Sequence, residues 1–71
     1  MLKQDFNIQI NGELFYCMQS ISVNSLLLYL NIDAQANLVE YNNEILDIDQ
    51  LDVIFLKQDD QIEIMTLVGG G

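Results

Sequence analysis

The sequence predicts an α+β fold, a sheet of four to five strands with one main helix packed across one face. Three observations carry that expectation. Two alternating apolar stretches are joined by a tight turn, a leucine stripe follows at helical spacing, and a last alternating run ends in glycines. A sheet and a helix each have one apolar side, and packing the two together buries both. At 71 residues the chain makes one domain, small enough to bury only about 60% of its unfolded surface.

Phe6-Asn7-Ile8-Gln9-Ile10 alternates apolar with polar, as a half-buried strand does. Asn11-Gly12 accepts the positive φ angles of a type I′ turn. The return strand, Glu13 to Met18, then pairs Ile10 with Glu13, Ile8 with Phe15 and Phe6 with Cys17. Phe6, Ile8, Ile10, Phe15 and Cys17 are expected inside, with Leu14, Tyr16 and Met18 on the opposite face. Ser22 is the expected N-cap of the helix. Val23, Leu26, Leu27 and Leu30 follow at i, i+3, i+4 and i+7, one buried stripe. Asn31, Asp33 and Asn37 mark the helix exit, with no C-cap glycine.

Leu38 to Tyr41 reads as a short third strand, and Asn42-Asn43 as a second turn that uses asparagine's tolerance of the left-handed region. From Ile45 to Leu56 the pattern is less regular, and Ile48, Leu51, Ile54 and Leu56 are expected to cover one end of the core. Gln58-Asp59-Asp60 forms a turn, and a strand-like run extends from Gln61 to Val68. The expected organisation is a domain over 1–66 and a flexible glycine tail over 67–71.

Composition excludes several function classes. The net charge is −9, and the two cations are Lys3 and Lys57. Such a chain repels phosphate backbones and anionic headgroups, so neither nucleic acid nor membrane is an expected partner. No histidine is present, which removes the commonest general base and metal ligand. Cys17 stands alone and is expected to be a small core hydrophobe. The loop acids Asp47, Asp49, Asp52, Asp59 and Asp60 lack the spacing of a calcium loop, and no phosphate-cradling glycine loop occurs. No catalytic residue, metal or bound cofactor is expected, and the chain is not expected to be an enzyme. The N-terminus shows no apolar run behind Lys3, which points to an intracellular compartment.

The tail is the remaining candidate for chemistry. Three glycines, Gly69, Gly70 and Gly71, leave a carboxylate on a thin tether that can enter a partner's active site without side chains in the way. Gly71 is the expected reactive position, threaded by Gly69 and Gly70. Leu14, Tyr16 and Met18, with Met65 and Leu67, are the expected partner-docking face.

Four stretches carry a resemblance: Ile8-Gln9-Ile10-Asn11-Gly12-Glu13, Ser22-Val23 leading into Leu26-Leu27, Val39-Glu40-Tyr41-Asn42, and Asp60-Gln61-Ile62-Glu63-Ile64 running to Val68-Gly69-Gly70-Gly71. Together they resemble the ThiS family, ubiquitin-like sulfur carriers of thiamine biosynthesis. The resemblance implies a β-grasp fold with a mixed sheet. It implies a ThiF-like adenylyltransferase that uses ATP to activate Gly71, and a cysteine desulfurase system that supplies a persulfide. A Gly71 thiocarboxylate would then donate its sulfur to a ThiG-like thiazole synthase. The compartment would be a bacterial cytosol or a plastid stroma. A Gly-Gly end on this fold is shared with the molybdopterin-synthase small subunit and with protein modifiers, and a passive binding domain is the third reading. The chain departs from relatives at Asn43 and Asp59, where glycine is common, and at Asp47-Ile48, where a Pro-Arg pair is common.

Overall fold

The computed structural model describes residues 5–67, which form five strands, one α-helix and a single 3-10 turn. β1 (Phe6–Ile10) and β2 (Glu13–Cys17) pair antiparallel with Phe6 opposite Cys17, Ile8 opposite Phe15 and Ile10 opposite Glu13. Asn11 at φ 50° and Gly12 at φ 82° make the two left-handed turn positions, so the expected register holds. Ile8 and Cys17 are buried, Phe6, Ile10 and Phe15 pack against the same core, and Leu14, Tyr16 and Met18 are exposed.

The helix α1 (Val23–Tyr29) starts at Ser22, whose Oγ accepts from the Ser25 N–H at 3.0 Å. Val23, Leu26 and Leu27 are buried, and Leu30 is the C-cap. The exit has a physical form that the sequence only marked. Asn31 takes φ 61°, its N–H donates to Leu28 O, and the Ile32 N–H donates to Leu27 O. That pair of bonds is a Schellman motif with asparagine where glycine is usual, and Ile32 packs against the core beyond it.

β3 (Asn37–Tyr41) turns through Asn42 and Asn43, at φ 49° and 75°, into β4 (Glu44–Ile45). β4 was not expected; two residues are too few to show a period. The segment after it covers the core through Leu46, Leu51 and Leu56, with Ile54 half-buried. Ile48 corrects the expectation. It is 56% exposed on the 3-10 turn Ile48–Gln50, where the Asp47 N–H donates to Gln50 Oε1 at 2.7 Å. A proline at position 47 would have no such donor. Asp59 takes φ 71°, the left-handed region that glycine enters most easily, so this turn is formed with aspartate in place.

β5 (Gln61–Thr66) ends before Leu67, whose N–H still donates to Ala36 O at 3.0 Å, and Val68, the expected end of the run, lies outside the described residues. The sheet order is β2-β1-β5-β3-β4, with β5 parallel to β1 and antiparallel to β3. The last strand in sequence is therefore the central strand in space, and α1 with the 46–56 segment covers the face that bears Ile8, Val39 and Ile62.

Both hairpin turns grip β5. The Asn11 side chain accepts from the Ile64 N–H at 2.8 Å and donates to Ile64 O at 3.3 Å, extending the ladder past the end of β1. Asn42 Oδ1 accepts from the Gln61 N–H at 2.8 Å on the other side. Beneath them Asp60, only 3% exposed, accepts four hydrogen bonds. Oδ2 receives Tyr41 Oη at 2.8 Å and the Lys57 N–H at 2.9 Å; Oδ1 receives Asn42 Nδ2 at 3.1 Å and Lys57 Nζ at 3.0 Å. Burial pushes this carboxyl's pKa up, but the bonds from Asn42, Tyr41 and Lys57 outweigh it and hold the pKa below the usual carboxylate value.

A carboxyl whose pKa is lowered on folding stabilises the fold above its unfolded pKa, near 4, and that contribution is lost as pH falls through the lower folded pKa. Asp60→Asn places an amide N–H₂ or a neutral oxygen against four donors. It is expected to lower stability at pH 7 by about 1.5–3 kcal/mol, measured by urea unfolding. The gap between wild type and variant should narrow below about pH 4; a constant gap across that range would contradict the role given to the charge.

Candidate functional site

The candidate site is the end of β5 and the outer face of the sheet around it. Gly69, Gly70 and Gly71, the expected reactive end and its approach, lie outside the described residues. The route to them is Met65-Thr66-Leu67. β1 stops pairing with β5 at Ile62, and beyond Ile64 the described partner of β5 is β3 and Ala36. The segment before the tail is thus one side of a two-stranded ribbon, paired along β3 and open towards β1.

Strand register decides which side chains share the outer face. Leu14 lies level with Gln9, and Gln9 lies level with Gln61. Met65 is four residues beyond Gln61, about 13 Å further along the sheet, and Tyr16 lies two residues in the opposite direction, so about 20 Å separates their rows. Leu14, Tyr16 and Met18 are exposed as expected, Leu14 at 73%. They nevertheless run away from the chain end and are separated from Met65 and Leu67 by the polar row Gln9 and Gln61. The structure brings Met65 together with Leu38, its direct partner on β3. The adjacent row holds Glu63 opposite Glu40, and Glu40 opposite Ile45.

Leu38 and Ile45 are the neighbours that sequence reasoning missed. Leu38 was already placed on a strand, but its partner depends on β3 lying against β5, and Ile45 depends on the short β4. The opposed carboxylates of Glu40 and Glu63 carry a local cost of a few tenths of a kcal/mol up to about 1 kcal/mol, which an incoming cation would relieve. The face near the chain end is therefore apolar at Leu38, Met65 and Ile45 and anionic between them.

The other sequence-predicted chemistry resolves simply. Cys17 is buried, and burial pushes its thiol pKa up, which keeps it protonated and unreactive. Tyr16 Oη donates to Asp5 Oδ2 at 2.5 Å, and that bond holds its hydroxyl pKa up as well. Among the described residues no group of three or more acids, cysteines or histidines is placed to hold a metal ion, and no helix is long and apolar enough to cross a membrane.

Comparison with known proteins places this geometry. The ThiS family matches over residues 8–71. Two relatives, each described as "Uncharacterized protein ycf40", are 35% identical in Porphyra purpurea and 38% identical in Pyropia yezoensis, over the full length of both chains. A third of the same description, from Trieres chinensis, is 37% identical over 87% of this chain and 85% of its own. The crystal structure of a thiamine biosynthesis protein (ThiS) from Geobacter metallireducens superposes with a TM-score of 0.81 at 30% identity, covering 93% of this chain and all of that one. A mixed five-stranded sheet with one helix, a central last strand and a family match running to residue 71 have one reading. The chain belongs to the ThiS family and has its ubiquitin-like β-grasp, a sulfur-carrier fold.

Proposed function

We propose that this chain is the sulfur carrier for thiazole assembly in thiamine biosynthesis, a stoichiometric co-substrate rather than a catalyst. The observation that carries the proposal is the continuity of the family match through Gly71, following a last strand, Gln61–Thr66, that is seated at the centre of the sheet. A carboxylate is a poor acyl donor until it is activated. A ThiF-like adenylyltransferase closes around Gly69 and Gly70 and, at the expense of ATP, joins the Gly71 carboxylate to AMP with release of pyrophosphate. Enclosure keeps water from the adenylate. The terminal sulfur of a persulfide, made by a cysteine desulfurase system, attacks the adenylate and releases AMP, leaving an acyl disulfide. A second thiol then cleaves its S–S bond, which frees the Gly71 thiocarboxylate and leaves a disulfide on the donor cysteine. A ThiG-like synthase takes that sulfur into the thiazole, and the carboxylate returns.

The adenylyltransferase is proposed to dock on the outer face at Leu38, Met65 and Ile45, with a basic group between Glu40 and Glu63. The chain's net charge of −9 draws such a partner in at low salt. Leu67 guides the tail, while Leu14, Tyr16 and Met18 belong to a more distant part of the surface. The algal sources of the relatives favour the plastid stroma over a bacterial cytosol. Transfer to molybdopterin or to protein lysines would use the same activated end with a different acceptor.

Deleting Gly71 is expected to abolish thiazole formation in a reconstituted assay with ThiF-like and ThiG-like enzymes while leaving the far-ultraviolet circular dichroism unchanged. Met65→Asp should leave the fold intact and raise the KM for adenylation about tenfold or more, consistent with loss of about 1.4 kcal/mol of docking energy. Thiazole made at the normal rate without Gly71 would overturn the proposal. Sulfur passed only to a molybdopterin precursor, or isopeptide adducts on lysines, would change the acceptor.

A further inference from the structure

The two edges of the sheet are built differently. β4 is two residues long, a short edge of the kind that resists further pairing. β2 is five residues long, carries one charge at Glu13, and has no lysine, proline or bulge to blunt it. Bond directions in β1 show which β2 groups are unspent. Asn7 O, the Gln9 N–H and the Asn11 N–H bond towards β5 and its approach, so Phe6, Ile8 and Ile10 direct their backbone groups to Cys17, Phe15 and Glu13. By alternation the backbone N–H and C=O of Leu14 and Tyr16 point outward from the sheet.

A groove of about 430 Å³ runs beside this edge, lined by Phe15, Tyr16, Cys17, Met18, Ile21 and Tyr29 among others. Tyr29, at the end of α1, stands edge-on to Phe15 with ring centroids 6.2 Å apart. A strand laid along β2 would have the groove under one side and exposed Leu14 and Tyr16 beside the other. Its inward side chains would enter the groove and its outward ones would lie beside Leu14 and Tyr16 as cross-strand neighbours, so apolar residues suit both sides. Glu13 stands at one end of the edge, and the chain around it carries a net charge of −9, so basic residues suit the flanks of such a strand. A second copy of this chain would bring another −9 of charge to the same place and is disfavoured.

We propose that the β2 edge and its groove bind an extended aliphatic peptide segment flanked by basic residues, added to the sheet as a sixth strand beside β2. The main chain supplies pairing and the groove supplies selection for the side chains. This surface lies at the edge remote from the β3–β5 ribbon, so it is a second interaction site whose use does not depend on sulfur transfer.

The test is a titration of the ¹⁵N-labelled full chain with a synthetic peptide. Its valine and isoleucine run equals the length of β2, 5 residues, between pairs of lysines. Saturable amide shifts confined to residues 13–19 and to Tyr29, with slowed hydrogen exchange at the Leu14 and Tyr16 amides, are expected. Methylating alternate peptide nitrogens should abolish both, and exchanging the lysines for glutamates should weaken binding about tenfold or more. The inference is overturned by equal binding of the methylated peptide, by shifts centred on Leu38 and Met65, or by unchanged amides at millimolar peptide. Concentration-dependent β2 shifts without peptide would overturn it too, because they would make a second copy the occupant. No enzyme, ATP or sulfur donor enters the assay, so its result is independent of the sulfur-carrier reading.

Discussion

The seating of β5 depends on one buried carboxylate. Taking an ion out of water costs several kcal/mol unless donors replace its hydration, and Asp60 finds four, two on each oxygen. Those donors come from the Lys57 turn and from the β3–β4 hairpin, while the Asp60 carbonyl accepts from Gln9 of β1 at 2.9 Å. Three parts of the chain that are remote in sequence are therefore tied at the point where β5 begins. Lys57 gains as well, since its bonds to Tyr41 and Asp60 hold its pKa up, and its ammonium lies 5.5 Å from the Tyr41 ring centroid. From that base the amides of Asn42 and Asn11 fix the strand at Gln61 and Ile64. The last strand of the chain is thereby held from both sides at the centre of the sheet.

Legibility in the sequence followed the range of the interaction. The β1–β2 register was readable because a two-residue Asn11-Gly12 turn leaves one pairing, and Ser22 announced the helix because an N-cap is a local bond. Asparagine and aspartate replace glycine at five left-handed positions, Asn11, Asn31, Asn42, Asn43 and Asp59. The turn at Asn42-Asn43 was visible for that reason, whereas the Schellman closure at Asn31 needed the bonds themselves. Asp60 could be read only as a solvated loop acid, since two of its partners lie 18 and 19 residues away. Nothing in the alternation of the last run says that it inserts between β1 and β3. The outer face was for the same reason expected as one patch, and the strand order separates Tyr16 and Met18 from Met65.

The fold divides its tasks by position. The covered face, with Ile8, Val23, Leu26, Leu27 and Ile62 almost wholly buried, supplies stability. The outer face beside the β3–β5 ribbon offers apolar contact at Leu38, Met65 and Ile45 around opposed carboxylates, and the β2 edge offers main-chain pairing. Membership of the ThiS family and the 0.81 superposition on the Geobacter protein show the scaffold on which these surfaces sit.

The most direct measurement of that account is intact-protein mass spectrometry after incubation with ATP, a ThiF-like enzyme and a persulfide donor. A mass gain equal to exchanging one oxygen for sulfur, mapped by fragmentation to Gly71, is the predicted result. An unmodified chain, with neither adenylate nor thiocarboxylate formed by an enzyme shown to be active on its own carrier, would contradict it.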